Sequence, residues 1–227
     1  QEFRDFFLPK VKRIFYIEHP FPYSFDHRSS MKVYENGVLK KTLFTPKIYG
    51  PDILFYLLDF FFTFYFIFQA NSKFDLCVSL DNLNTFSVLF FKKLGIIKKL
   101  VFYTIDYNPS RFENKILNNV YHLLDRLSCY YSDKIWVLSQ KMVEERGKNG
   151  VNLKRSAQSI TLPMGANLER IKVLPIEKIN KHQIVYAGFL LEKQGVQIVI
   201  EALSEIIKKI PDVKFVIIGQ GEYEEKL

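Results

Sequence analysis

Cysteine is scarce in this sequence: Cys77, inside the apolar run DLCVSL, and Cys129, in a helical pattern, are the only two among 227 residues. Neither their density nor their spacing fits a disulfide framework or a zinc site, so both read as reduced core thiols, consistent with cytoplasm. No basic, apolar and small-residue series opens the chain, and nothing reads as a signal peptide. Dense basic blocks are also missing. The pairs Lys40-Lys41, Lys92-Lys93, Lys98-Lys99 and Lys208-Lys209 are scattered, which argues against a nucleic-acid footprint.

What is present is enough apolar surface for a core. Hydrophobic residues make up 48% and charged residues 25%, the balance of a globular protein rather than a disordered one. Lys and Arg (32) outnumber Asp and Glu (24), and the net charge of +8 favours anionic partners such as phosphates, nucleotides or acidic lipid headgroups.

The opening QEFRDFFL places Phe3, Phe6 and Phe7 at helical spacing with no start signal before them, as in a chain entered in mid-helix. RIFYI reads as a buried strand, EHPFPYSFDHRSS as a loop, and KVYENGVLKKTL as a hairpin around Asn36-Gly37. Strand and helix patterns then alternate: FDLCVSL, NTFSVLFFKKLG, KLVFYTI, ENKILNNVYHLLDRLSCYYS, KIWVLS, QKMVEERGKNG. Such alternation predicts an α/β fold on a mainly parallel sheet. It weakens near SITLPMGANLERIK, and the polar, proline-bearing VLPIEKINKH predicts a boundary between domains at 1–176 and 177–227. A fresh unit follows, with HQIVYAGF as strand, GVQIVIEALSEIIKKI as helix, VKFVIIG as strand and EYEEKL as a helix start. About 45 residues are too few to bury a core alone, so this second domain is expected to be only partly present.

The segment Ile53 to Ala70, ILFYLLDFFFTFYFIFQA, is apolar on almost every helical face. It falls short of the roughly 20 residues that cross a bilayer. Asp59 near its middle would cost about 2.5–3.5 kcal/mol on insertion. A buried or interface-facing helix is therefore expected, and the 22 phenylalanines keep peripheral membrane attachment open.

Two strand-to-glycine turns suggest chemistry. Gly188 and Gly219 each end an apolar strand, and Gly195 and Gly221 let the main chain approach a ligand where a helix presents free N–H groups and its positive dipole end. The same turns also occur for packing alone, and GQGEYE fails as a dinucleotide fingerprint because Glu224 holds the third glycine position. In YHLLDR, the grouping of His122, Asp125 and Arg126 reads as a surface or satisfied core cluster before a catalytic set.

The stretch IVYAGFLLEKQGVQIVIEALSEIIKKIPDVKFVIIGQGEYEEKL resembles the opening of the donor domain in the retaining family-four glycosyltransferases of GT-B fold (glycosyl transferases group 1). Upstream, DRLSCYYSDKIWVLSQKM resembles the helix, Ala-Asp, strand and Ser that close the acceptor domain of that family, and LPMGANLERI its hinge approach. The resemblance implies a GT-B-like α/β protein of two Rossmann-like domains facing across a cleft, the first lacking its opening strand and the second truncated. It implies transfer of a sugar from a nucleotide-sugar donor to a carbohydrate or lipid-linked acceptor with retained configuration, and no cofactor or metal. No Asp-x-Asp occurs, which agrees with a metal-free GT-B enzyme over a metal-dependent GT-A one.

Donor contacts are then expected at Gly188, Lys193, Gly195, Gly219 and Gly221. Two positions depart from the pattern: Phe189 stands where the family has arginine and Gln194 where it has lysine, leaving Lys193, one residue earlier, to reach the phosphates on its flexible stem. The family's downstream glutamate pair should lie beyond Leu227, so the chain as given is expected to be inactive by itself. Asp106, at the end of FYTID, falls about where relatives carry a cleft histidine and is the acceptor-side candidate, with Arg111 as an anion clamp; a loop cap and a solvated arginine are the plainer alternative. Two further readings stay open: a nucleotide-binding relative that transfers nothing, and a peripheral membrane scaffold at the inner membrane face, using an anionic membrane surface.

Overall fold

The computed structural model describes residues 2–20, 26–165 and 174–227, with the Glu2 and Asp52 side chains outside that description. The chain divides into two compact units, Gln1–Ala166 and Asn167–Leu227, changing over before the boundary expected after residue 176. Parts of the EHPFPYSFDHRSS loop and of the LPMGANLERI segment lie outside the described residues.

The first unit opens with α1 (Glu2–Phe7) and an antiparallel meander of β1 (Arg13–Glu18), β2 (Ser30–Glu35) and β3 (Val38–Phe44). Asn36 and Gly37 take φ of 50° and 78°, the two left-handed residues that a tight hairpin needs to match strand twist. RIFYI forms β1 but is not a buried strand: among the described residues its only strand partner is β2, with Arg13 opposite Glu35 and Glu18 opposite Ser30, and its residues are at most half-buried. The return of the chain through β2 makes it an antiparallel edge, which hydrophobic content alone does not reveal.

The alternating part follows as α2 (Asp52–Ala70), β4 (Phe74–Leu80), α3 (Asn82–Lys93), β5 (Ile97–Thr104), α4 (Lys115–Tyr131), β6 (Lys134–Val137), α5 (Gln140–Lys148) and β7 (Gln158–Thr161). Its strands form one parallel sheet in the order β4-β5-β6-β7. The helix starts are written locally: the Asp81 carboxylate accepts from Asn84 N–H at 3.1 Å, and Asn114 accepts from the N–H groups of Ile116 and Leu117, each such cap stabilising by about 1 kcal/mol.

Two clusters hold the sheet to its helices. Phe102, Cys129, Ile135, Val137, Val143 and Val151 join β5 and β6 to α4 and α5. Ile67, Val88, Phe91, Ile97 and Leu100 join β5 to α2 and α3. Each fully buried side chain of this size contributes about 1.5–3 kcal/mol. Both cysteines are free thiols, and burial pushes the Cys129 thiol upward.

In the second unit β8 (Gln183–Ala187) and β9 (Lys214–Ile218) pair in parallel, Gln183 opposite Lys214 and Ala187 opposite Ile218, with α6 (Val196–Lys209) connecting them. A 3₁₀ turn at Glu192–Gln194 leads into α6 through Gly195, whose φ is 74°. The EYEEKL stretch forms a short 3₁₀ turn, Glu224–Lys226. His182 Nδ1 and Asp212 Oδ1 lie 2.7 Å apart where the two strands begin.

Candidate functional site

Parallel sheets present ligands with the carboxyl ends of their strands, where loops leave the sheet and helix starts face outward. At that edge of the first unit β4 runs into Asp81 and β5 into Asp106. Asp81 has φ 56° and ψ 173°, a conformation costly for a residue with a Cβ and held here by its cap bond to α3. Asp81 keeps accessible surface, although neighbouring protein atoms partly desolvate its carboxyl. Burial is the main reason its carboxyl is pushed up to about 6; the Asp106 charge adds to the rise and Arg111 opposes it.

Asp106 and Arg111, both singled out from sequence, are brought together: Arg111 Nη1 donates to Asp106 Oδ2 at 2.8 Å, and both side chains are exposed. The Thr104 hydroxyl donates to the Asp106 carbonyl at 2.7 Å, fixing the loop as it leaves β5. Thr104 is itself held from behind. Arg146 Nη2 donates to its oxygen at 3.2 Å, while Arg146 Nε and Nη2 also reach the Asp125 carboxylate at 2.9 Å. This pair is fully buried, and the guanidinium lies about 5 Å from the Phe102 and Tyr107 rings. Asp125 is therefore a satisfied core group whose partner comes from α5, not from its neighbours His122 and Arg126. His122 Nε2–H donates to the Pro109 carbonyl at 2.9 Å, which leaves Nδ1 to face the Tyr107 hydroxyl.

Sequence reading weighed Asp59 only as a cost of membrane insertion and did not single out His19. His19, just after β1, and Asp59, inside the apolar α2, are 3.4 Å apart (Nδ1 to Oδ1) and largely buried. The Thr63 hydroxyl donates to the Asp59 carbonyl at 2.8 Å, so its oxygen accepts from His19 Nε2–H at 2.9 Å. Nδ1 is then bare and accepts from the Ser29 hydroxyl at 2.9 Å. Burial drives both groups toward neutral forms: the Asp59 carboxyl rises to about 7, with the Asp81 charge as a second cause, and His19 falls to about 4. One acid in an otherwise apolar helix was the available signal for this pair. A depression of about 630 Å³ beside the hairpin, lined by Leu8, Pro9, Lys10, Val11, Lys12 and Asn36 to Val38, holds no carboxylate, histidine or thiol. Among the described residues no group of three or more His, Cys, Asp or Glu is placed to hold a metal ion.

In the second unit the glycine turns after β8 and β9 lie against each other. Gly188 N–H donates to the Ile218 carbonyl and Leu190 N–H to that of Gln220, both at 3.0 Å, and Tyr223 N–H returns to the Leu190 carbonyl at 3.1 Å. A Cβ on Gly219 would overlap the Gly188 carbonyl oxygen, and one on Gly221 that of Leu190. These two glycines are thus required by contact between turns. Gly188 faces only the Tyr186 hydroxyl, which donates to the Phe189 carbonyl at 2.7 Å.

Residues 170–227 match the family model described as glycosyl transferases group 1. The match covers the second unit, and it is there that the chain is similar to the group 1 glycosyltransferases. Its fold is similar to that of a solved structure, the catalytic domain of Starch Synthase IV from Arabidopsis thaliana bound to ADP and acarbose, with a TM-score of 0.51 at 10% identity. That likeness covers 94% of this chain and 58% of the other, so the present chain spans little more than half the length of its structural relative. No curated protein matches the sequence. The α/β fold is accordingly GT-B-like.

Within the second unit, Lys193 is an exposed cation on the 3₁₀ turn leading into α6, and Gln194 beside it is exposed as well. Phe189 is 57% exposed at the turn between Gly188 and Leu190. Gly195 supplies the left-handed residue from which α6 starts, with no side-chain cap on its first N–H groups.

Proposed function

We propose that this chain acts in glycosyl transfer from a nucleotide-sugar donor to a hydroxyl of a carbohydrate or lipid-linked acceptor, with the anomeric configuration retained. The observation that carries the reading is the group 1 glycosyltransferase match over the unit that holds Gly188, Lys193 and Gly195. The uncapped N-terminus of α6 offers N–H groups and a positive dipole end to a diphosphate, and Lys193 adds a cation at that end. In the transfer the acceptor oxygen forms a bond to the anomeric carbon, the bond from that carbon to the diphosphate oxygen breaks, and the nucleoside diphosphate leaves carrying the electron pair and the acceptor's proton. Groups that stabilise this growing charge lower the barrier. On the first unit Asp106 accepts a hydrogen bond from the acceptor, and Arg111 both orients that carboxylate and offers its remaining N–H groups.

The bound relative, a starch synthase domain with ADP and acarbose, supports a nucleotide and a carbohydrate as ligand classes. The test is a panel of nucleotide-sugars, read by thermal shift and by release of nucleoside diphosphate in the presence of carbohydrate and lipid-linked acceptors. Stabilisation by at least one donor together with release is expected. Stabilisation with no release from any donor would move the reading to a nucleotide-binding relative, which Phe189 and Gln194 at the expected cation positions favour. No stabilisation and no release sinks both.

A further inference from the structure

We propose that the outer face of α2 and α3 is a docking surface for an anionic lipid membrane, on which the first unit lies without spanning it. The two helices meet along an aromatic seam, Phe60 on Phe86, Phe64 on Phe90 and Phe68 on Phe91, with ring centroids 6.0, 5.6 and 5.3 Å apart. The seam does not close over its own surface. Phe61 and Phe68 are each 62% exposed and Phe90 48%, with Leu57 and Leu94 also exposed; only 22% of Ile53–Ala70 is buried. Leu57, Phe61 and Phe68 fall on one side of α2 at helical spacing, next to the row that meets α3.

Charge identifies the occupant. From Ile53 onward α2 contains one acid, Asp59, and α3 contains none. Asp59 is turned inward to His19, so among the described residues within α2 and α3 no carboxylate lies on the exposed face. Lys73 and Lys93 are exposed just ahead of Phe74 and Ile97, which pair at the start of β4 and β5, so both lysines mark the same end of the seam. Neither has an acidic partner among the described residues, whereas Lys92 is tied to Asp133 at 2.8 Å. Aromatic side chains bordered by lysines, with no acid between them, match the interface of a bilayer rich in anionic headgroups. The inward side of α2 excludes spanning: Thr63 is hydrogen-bonded to His19, just after β1, and Asp59 lies against the same imidazole, and a crossing helix would have to surrender those contacts.

The experiment is flotation of the full chain with vesicles of phosphatidylcholine containing phosphatidylglycerol, and with phosphatidylcholine alone. Binding to the anionic vesicles, weakened by salt, is expected. Phe61→Ser with Phe68→Ser should lower the partition coefficient about tenfold or more. Lys73→Glu with Lys93→Glu should lower it at least about tenfold on anionic vesicles and leave phosphatidylcholine unaffected. All four positions are exposed, and far-UV circular dichroism confirms that each variant is folded. Absence of flotation, or binding indifferent to both pairs, overturns the proposal. So does sedimentation showing a dimer that the Phe61→Ser, Phe68→Ser variant dissolves while vesicles remain unbound, an outcome that gives the face to a second copy. Vesicle binding is read without any nucleotide-sugar, so its failure leaves the glycosyl-transfer reading standing.

Discussion

Gly219 abuts Gly188 so closely that a Cβ at 219 would occupy the space of the 188 carbonyl oxygen. The two turns are laced by main-chain hydrogen bonds through the same residues, so neither can withdraw without breaking them. Gly219→Ala and Gly221→Ala are each expected to destabilise the second unit by about 1–3 kcal/mol or more. Gly188→Ala should cost less, because it meets only the mobile end of Tyr186. Urea denaturation followed by circular dichroism measures this, and equal stability of all three variants would contradict the contact.

Lys193 stands at the start of α6 and Lys209 at its end. Lys193→Ala is expected to weaken nucleoside diphosphate binding about tenfold, the loss of one charge-assisted contact. Lys209→Ala, at the negative end of the helix, should leave it unchanged. Isothermal titration with both variants decides the matter, and equal effects would remove Lys193 from the donor site.

The buried Arg146–Asp125 pair makes a sharper stability prediction. Arg146→Met or Asp125→Asn alone strands the other group and should cost about 3–5 kcal/mol. The double replacement Arg146→Met with Asp125→Asn should cost clearly less than the sum. Additive losses in chemical denaturation would show that the two charges are not coupled.

Asp59 and His19 act on stability in opposite directions with pH. Asp59 has its folded pKa raised from 3.8 to about 7, so the folded chain keeps a proton that the unfolded chain releases; its contribution is full at low pH and is lost as pH rises through that window. His19 is lowered from 6.5 to about 4, so its contribution is full above that range and is lost as pH falls through it. Because the Asp81 carboxyl is raised too, to about 6, and acts in the same direction as Asp59, wild-type stability should fall as pH rises across this range. Asp59→Asn should tilt the profile upward with pH, and His19→Gln should tilt it downward, with Asp81 acting alike in all three proteins. Unfolding free energies measured across this range test both slopes, and two variants that tilt the same way would refute the assignment.

Local rules made much of the fold legible. Asn36-Gly37 wrote its hairpin, Asp81 and Asn114 their helix starts, and hydrophobic period separated strands from helices through the parallel sheet and the second unit. The donor-domain motif likewise pointed to the family that the second unit matches. Asp106 and Arg111 could be named, though not their mutual bond, which depends on how the loop folds back over five residues. RIFYI was misread as buried because strand pairing is a long-range choice among many apolar partners.

Periodicity, caps and turn residues act within a few positions, so the sequence by itself determined the elements, their order and the character of the second unit. Partners distant in the chain were decided only by tertiary structure: Asp59 with His19, Arg146 with Asp125 and Thr104, Gly219 with Gly188. The physical reason is that a buried polar group or a close backbone approach is satisfied by whatever the packing brings beside it, and nothing in the local sequence records which segment that will be.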